Sequence, residues 1–320
     1  MNRMRRLLGG FLLMAMGAGI SSQAVAELKV TVIADPKQAL HRTIVDAMLN
    51  RLSAMQAESV NVIQTRTAPG PDDNGGSETG PALVVAIGTQ NTISALTLKS
   101  GAPLLSVAIP RLNYDELASQ YAADPAADQP LRFGALLLDQ PLARRFDLVQ
   151  AVVPNAKTVS IALGPANEHL IDEIKSEADK RGLRLRTDLV TQESELIETL
   201  DLILEQSDAM LGLLDPLVFN RATSRNVLLT AYRWRVPLIG ISPAYVRAGA
   251  LAAVHSTPEQ IGRQLAEMLV SFERSGGAEL PAYKYPDYFD VAINYQVAAS
   301  MGLHIDDEDT IKALLLQQQE

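Results

Sequence analysis

The chain has 320 residues, of which 47% are hydrophobic, with a formal net charge of −9 and no cysteine. That length suits one large domain or two lobes of ordinary size. The acidic balance argues against nucleic acid or anionic lipid as a partner, and the missing thiol excludes a cysteine nucleophile, thiolate metal sites, disulfides and lipid attachment through cysteine.

The first residues read as an export leader. Arg3, Arg5 and Arg6 make a basic start, 7–20 is apolar, and Ala24-Val25-Ala26 offers small residues for cleavage after Ala26. The apolar run is too short to span a bilayer comfortably, and polar Ser21, Ser22 and Gln23 follow it at once. The mature protein is expected to be exported and soluble. With no lipid anchor to hold it, a Gram-negative periplasm fits.

From there the chain alternates strands and helices. A β-branched strand is expected over 28–34, a helix over 38–56 from its apolar spacing, and a second strand over 59–64. Residues 69–81 (PGPDDNGGSETGP) read as a surface loop. The run 82–87 (ALVVAI) is apolar without alternation, the mark of a strand covered on both faces, and 103–109 (PLLSVAI) repeats it after a helix start at 91–98. Residues 111–130 are polar, with a short helix over 114–121 and a loose DPAADQP tail. This pattern specifies a doubly wound parallel sheet.

A second run repeats the plan. Strands are expected over 133–138, 158–163, 183–189, 209–214 and 236–241, with helices over 142–152, 170–180, 193–205 and 220–233. After Ser242 and Pro243 the chain is too rich in small residues for a local helix, so 248–254 reads as a link between lobes. Thr257 as N-cap with Pro258 at the first position starts a long helix. A proline-containing aromatic stretch (283–290), a short strand (291–294) and helices over 296–301 and 306–319 close the chain. The expected fold is α/β, two doubly wound parallel-sheet lobes joined by hinge crossings. The expected boundaries are 27–135 with 249–282 for one lobe and 136–248 with 283–320 for the other.

Catalytic signatures are missing: there is no GxSxG, GxxxxGK[ST], HExxH or GxGxxG after the first strand. His41, His169, His255 and His304 show no metal-ligand spacing, so neither a metal nor a cofactor is expected, and a two-carboxylate hydrolase has no support. What the sequence offers instead is polar residues just after buried strands: Asp35, Gly88, Thr89, Gln90, Asp139, Gln140, Asn167, Asp215, Ser242 and Tyr245. In a parallel sheet these positions lie at the carboxyl edge, where ligands bind and helix N-termini favour an anionic group. Phe219 and Tyr245 are candidates for a pocket wall. Each polar residue could equally cap a helix; the set as a whole favours a binding cleft.

The segments LVVAIGTQNTISAL (83–96), VVPNAKTVSIALGPAN (152–167), VPLIGISPAYVRAGALAAV (236–254), IGRQLAEML (261–269) and FDVAINYQVAASMGL (289–303) resemble the extracytoplasmic substrate-binding proteins of ABC transporters. The branch is the one with the type I periplasmic-binding-protein fold whose better-understood members bind aromatic amino acids. The resemblance implies a monomeric, non-enzymatic, hinged trap that closes on a small molecule and hands it to an inner-membrane permease. It implies contacts at Gly88 to Gln90, Asn167, Asp215 and Ser242. It leaves open an accessory or sensory protein of the same fold that engages a membrane partner without transport.

Overall fold

The structure is a computed structural model that describes residues 27–65, 82–98, 101–122 and 131–318. The expected leader, the acidic loop at 69–81 and the DPAADQP tail lie outside the described residues.

The first lobe forms from β1 (Leu28–Ile33), α1 (Ala39–Ala54), β2 (Val60–Thr65), β3 (Leu83–Ile87), α2 (Thr89–Leu98), β4 (Leu104–Ile109), α3 (Arg111–Ala122) and β5 (Phe133–Leu137). Its five strands pair in parallel in the order β2-β1-β3-β4-β5. Every residue of β3 and β4 is buried, which explains their unbroken apolar runs: helices cover both faces.

The second lobe forms from α4 (Leu142–Val152), β6 (Thr158–Leu163), α5 (Ile171–Asp179), β7 (Arg184–Leu189), α6 (Leu196–Leu204), β8 (Ala209–Leu211), α7 (Ser224–Arg233), β9 (Leu238–Ile239), α8 (Pro243–Ala248) and β10 (Ala252–His255). The chain then leaves as α9 (Pro258–Arg274) and returns as β11 (Asp290–Ile293), α10 (Tyr295–Met301) and α11 (Glu308–Gln317). The second sheet runs β11-β10-β9-β8-β6-β7, parallel except for β11 against β10.

Three expectations change here. Residues 243–248 form α8: Ser242 stands at its N-cap, Pro243 at its first position, and Gly249 ends it at φ +126. A six-residue helix is too short to show apolar periodicity. Residues 252–255, expected in the first lobe, enter the second sheet as β10. Their small side chains suit that place, because Ala252 and Ala253 lie fully buried beside Gly240, where an added Cβ would sit 3.1 Å from the Ala250 Cβ. The second crossing therefore falls at Ser256 and Thr257. Likewise β5 holds its place in the first sheet through Leu137, so the first crossing runs from Leu138 to Pro141.

α9 belongs to the first lobe. The Thr257 hydroxyl accepts a hydrogen bond from the Gln260 backbone N–H and the Gln260 side-chain oxygen accepts one from the Thr257 N–H, a capping box worth about 1 kcal/mol. The helix lays Ile261, Leu265 and Leu269 against Ile44, Val45 and Met48 of α1. The chain then runs back beside β5: Lys284 N donates to Ala135 O and Leu137 N to Lys284 O, so the third crossing lengthens the first sheet before becoming β11.

Candidate functional site

The carboxyl ends of the two sheets face each other. Arg111 follows β4 directly and opens α3; Glu173 lies in the first turn of α5, which follows β6. The Arg111 guanidinium donates to Glu173 Oε1 at 3.0 Å and lies 2.9 Å from Oε2. Beside this pair, His169 Nε2 lies 3.8 Å from Asp115 Oδ2. Arg111 also donates to the Tyr285 hydroxyl at 2.8 Å and stands 5.3 Å from the Tyr283 ring centroid. Burial opposes its charge, but the Glu173 carboxylate more than compensates and raises its affinity for the proton. Burial also pushes the Tyr285 phenol up to about 12, so it keeps its proton. Just before Arg111, Ala108 takes φ +55 where the β4–β5 register shifts. Beyond that bulge the ladder makes one more pair, Ile109 with Leu137, before the cleft edge.

The expected site residues divide by what their polar atoms already do. On the first lobe, Gly88 has φ +82 and a Cβ there would lie 3.2 Å from His41 Nε2. Thr89 and Gln90 open α2, and among the described residues none hydrogen-bonds the Thr89 hydroxyl or the Gln90 side-chain amide. At the first crossing, Asp139 Oδ2 accepts the Arg111 N–H at 2.7 Å. Burial raises its carboxyl above the ordinary range, against the pull of the Arg111 amide and of Arg145. Arg145 is buried, donates to the Gly212 carbonyl and is itself lowered by burial to about 10.

On the second lobe, Asp215 is 4% exposed and accepts from Gly164 N, Asn167 Nδ2, Leu217 N and Val218 N at 2.7–2.9 Å. Asn167 also donates to Leu214 O at 3.0 Å. These two residues knit the turn after β8 to the turn after β6. Phe219 is buried, with its ring in the space a Gly212 Cβ would need, and its centroid is 5.9 Å from that of Tyr245. The Tyr245 hydroxyl meets Ser224 Oγ at 2.6 Å. Among the described residues, none hydrogen-bonds the Ser242 hydroxyl.

Sequence reading missed the groups that join the lobes. Arg111 had the same signal as the others, a polar residue after a buried strand, but sat in a stretch read only as loose and polar. His169 is read as a surface histidine, and Glu173 as one of many helix carboxylates. A second set, of which the sequence reading marks only Gln140 as a strand-end group, ties the crossings together. Gln140 Nε2 donates to Ser256 Oγ at 2.8 Å, Ser256 Oγ to Tyr288 O at 2.5 Å, and Arg144 to Gln140 Oε1 at 2.6 Å and Pro286 O at 2.9 Å. One hydrogen-bonded chain thus touches all three crossings. A cavity of about 700 Å³ lies elsewhere, against α9 at the amino end of β3 and β4; Leu83, Leu105, Met268, Phe272 and Leu280 are among its lining residues, and it shares none with the strand-end set.

Among the described residues no group of three or more His, Asp or Glu could hold a metal ion, and no helix is long and apolar enough to cross a membrane.

His41, beneath Gly88, makes stability depend on pH. Its Nδ1 accepts the Asp35 N–H at 3.0 Å, and burial lowers its pKa below the usual 6.5. His255 is lowered in the same way, and its Nδ1 is buried without a hydrogen-bond partner. The unfolded chain therefore takes up protons first as pH falls through about 6.5, and stability drops from there down to the folded-state pKa values. Unfolding midpoints measured between pH 7.5 and 5 should fall, and the slope should flatten in His41→Gln; an unchanged slope would reject this origin.

Comparison with known proteins agrees with this geometry. The family model described as ABC transporter substrate binding protein matches residues 138–314, more than half the chain. Among curated proteins, none matches in sequence. Solved structures share the fold. A ligand-free, open substrate-binding protein with adhesive properties from Clostridium difficile aligns with TM-score 0.64 and 17% identity over 88% of this chain and 96% of its own. An ABC domain in complex with L-Trp from Streptococcus pneumonia aligns with TM-score 0.54 and 18% identity over the same shares. A conserved domain protein from Vibrio cholerae gives 0.53 and 19% over 90% and 98%. Two facing parallel-sheet lobes, three crossings and a match over residues 138–314 lead to one conclusion: the chain belongs to the ABC transporter substrate binding protein family.

Proposed function

We propose that this protein is a periplasmic receptor for an ABC importer, exported by its leader and cleaved near Ala26. It traps a small molecule, an amino acid or related carboxylate, between its lobes and presents it to an inner-membrane permease. It works as a monomer, by binding coupled to hinge closure, with no covalent chemistry. The observation that carries this reading is the meeting of the two carboxyl sheet edges at Arg111 and Glu173. Solute contacts made only when both edges close on it shift the open–closed equilibrium, and the permease reads the closed form.

Thr89, Gln90 and Ser242 are the proposed polar contacts, because their side chains are uncommitted, and Asp139 is proposed as a further contact. Gly88, Asn167, Asp215, Phe219 and Tyr245 build the walls. The solute bound by the Streptococcus structure makes aromatic amino acids the first to try.

The test is a thermal-shift screen of the mature chain against amino acids, peptides, nucleobases, sugars and small carboxylates. A solute at a hundred times its dissociation constant stabilises the fold by about 2.7 kcal/mol. A hit that is lost in Thr89→Ala or Ser242→Ala supports the receptor. A folded protein with no hit shifts the reading to an accessory or sensory protein that engages a membrane partner.

A further inference from the structure

We propose that Arg111 and Glu173 form a latch that holds the two lobes together without solute, and that an incoming carboxylate displaces Glu173 from Arg111. The first half stands on the structure; the second rests on the receptor reading above.

The two partners are unequally held. The Arg111 side chain is 16% exposed and Glu173 42%. Arg111 is fixed by its own lobe and the third crossing: by the Tyr285 hydroxyl, the Tyr283 ring and Asp115 one turn along α3. None of these contacts needs Glu173. When Glu173 leaves, the guanidinium stays in place, charged and at the cleft edge. Glu173 leaves cheaply, since a half-exposed carboxylate regains water. Its buried Nε–H lies 3.4 Å from Asp115 Oδ2, which holds that side of the guanidinium by charge without a hydrogen bond.

Displacement, rather than addition, follows from charge. Asp115 and Glu173 already set two carboxylates within 4 Å of one guanidinium, and Asp139 behind them is matched by Arg145; beside the pair itself, His169 is a further cation candidate. A third carboxylate would meet like charge at close range. A solute carboxylate reproduces what Glu173 offers, two oxygens against one terminal guanidinium nitrogen, so exchange costs little and selects for that group. Tyr283 and Tyr285 would flank it.

The chain has no cysteine, so Ser53→Cys on the first lobe and Glu205→Cys on the second, both exposed, give two clean spin-label sites. Pulsed electron resonance on the solute-free protein should show longer or broader inter-lobe distances in E173Q and in R111Q than in the parent, with circular dichroism unchanged. About 1 M salt should move the parent the same way, because it screens the pair. Identical distance distributions in parent and E173Q would overturn the latch. For the second half, L-tryptophan and every screening hit that carries a carboxylate are titrated beside their decarboxylated amines. E173Q should bind the carboxylates roughly two- to fivefold tighter, by removing their competitor. R111Q should bind them at least about tenfold more weakly. An amino acid and its amine bound equally well would overturn displacement. No solute bound at all would remove the receptor reading and displacement with it, while the spin-label distances still decide the latch.

Discussion

Asp215→Ala is expected to lose roughly 3–6 kcal/mol of stability, from the four donors it leaves unmatched. Gly164 N, Asn167 Nδ2, Leu217 N and Val218 N all end on this one buried carboxylate. Each buried polar group without a partner costs about 1–3 kcal/mol, and water entering the gap recovers part of the sum. Domains of this kind hold only about 5–15 kcal/mol in total, so the variant should sit close to unfolding. Asp215→Asn keeps one acceptor oxygen and should fall between alanine and the parent. Denaturant midpoints at constant slope are the measurement. An alanine variant as stable as the parent that binds no solute would reverse the assignment and make Asp215 a contact instead of a brace.

The second large effect is expected at the crossing of α1 and α9. An alanine Cβ at Gly262 would lie 2.3 Å from the Ile44 carbonyl oxygen, 2.7 Å from the Ala47 Cβ and 3.0 Å from the Met48 nitrogen. Two of these are backbone atoms inside a helix and cannot swing away, so the helices must separate and loosen Ile44, Met48, Leu265 and Leu269. Overpacking of this kind costs about 1–3 kcal/mol and sometimes more, while alanine returns up to about 1 kcal/mol of helix propensity. We expect a net loss of about 2 kcal/mol. At roughly 2–4 °C per kcal/mol for a protein of this size, the melting temperature should drop by about 4–8 °C. No drop would mean that the helices do not meet at Gly262.

These two residues also show how far the sequence could be read. The continuous apolar runs at 83–87 and 104–109 announce strands covered on both faces, so the two-lobed plan and the strand-end positions were legible. Asp215 was legible as a polar residue after a strand. Whether it faces a solute or its own turn was not, because only the fold reveals that four donors converge on it. α8 escaped because six residues carry no periodicity. β10 was mistaken for a link because alanines that look like a spacer are what the close packing around Gly240 requires. Arg111 and Glu173 are 62 residues apart on opposite lobes. Chain patterning reports neighbours along the chain; that pair depends on how two independent sheets are set against each other.

The docking of α9 on α1 also sets the order in which the molecule can assemble. α1 ends at Ala54, yet the helix that seals its apolar stripe begins only at Pro258. A nascent chain that has emerged through β5 has all five strands of its first sheet, with one face still lacking its cover. The second lobe is in the same position: its elements from Leu142 to His255 still lack β11, α10 and α11, which follow α9 and supply Val291, Ile311 and Leu315 to its core. For a chain that must thread a membrane before it folds, as the proposed export requires, this delay keeps the leading half pliable until most of the polypeptide has passed through.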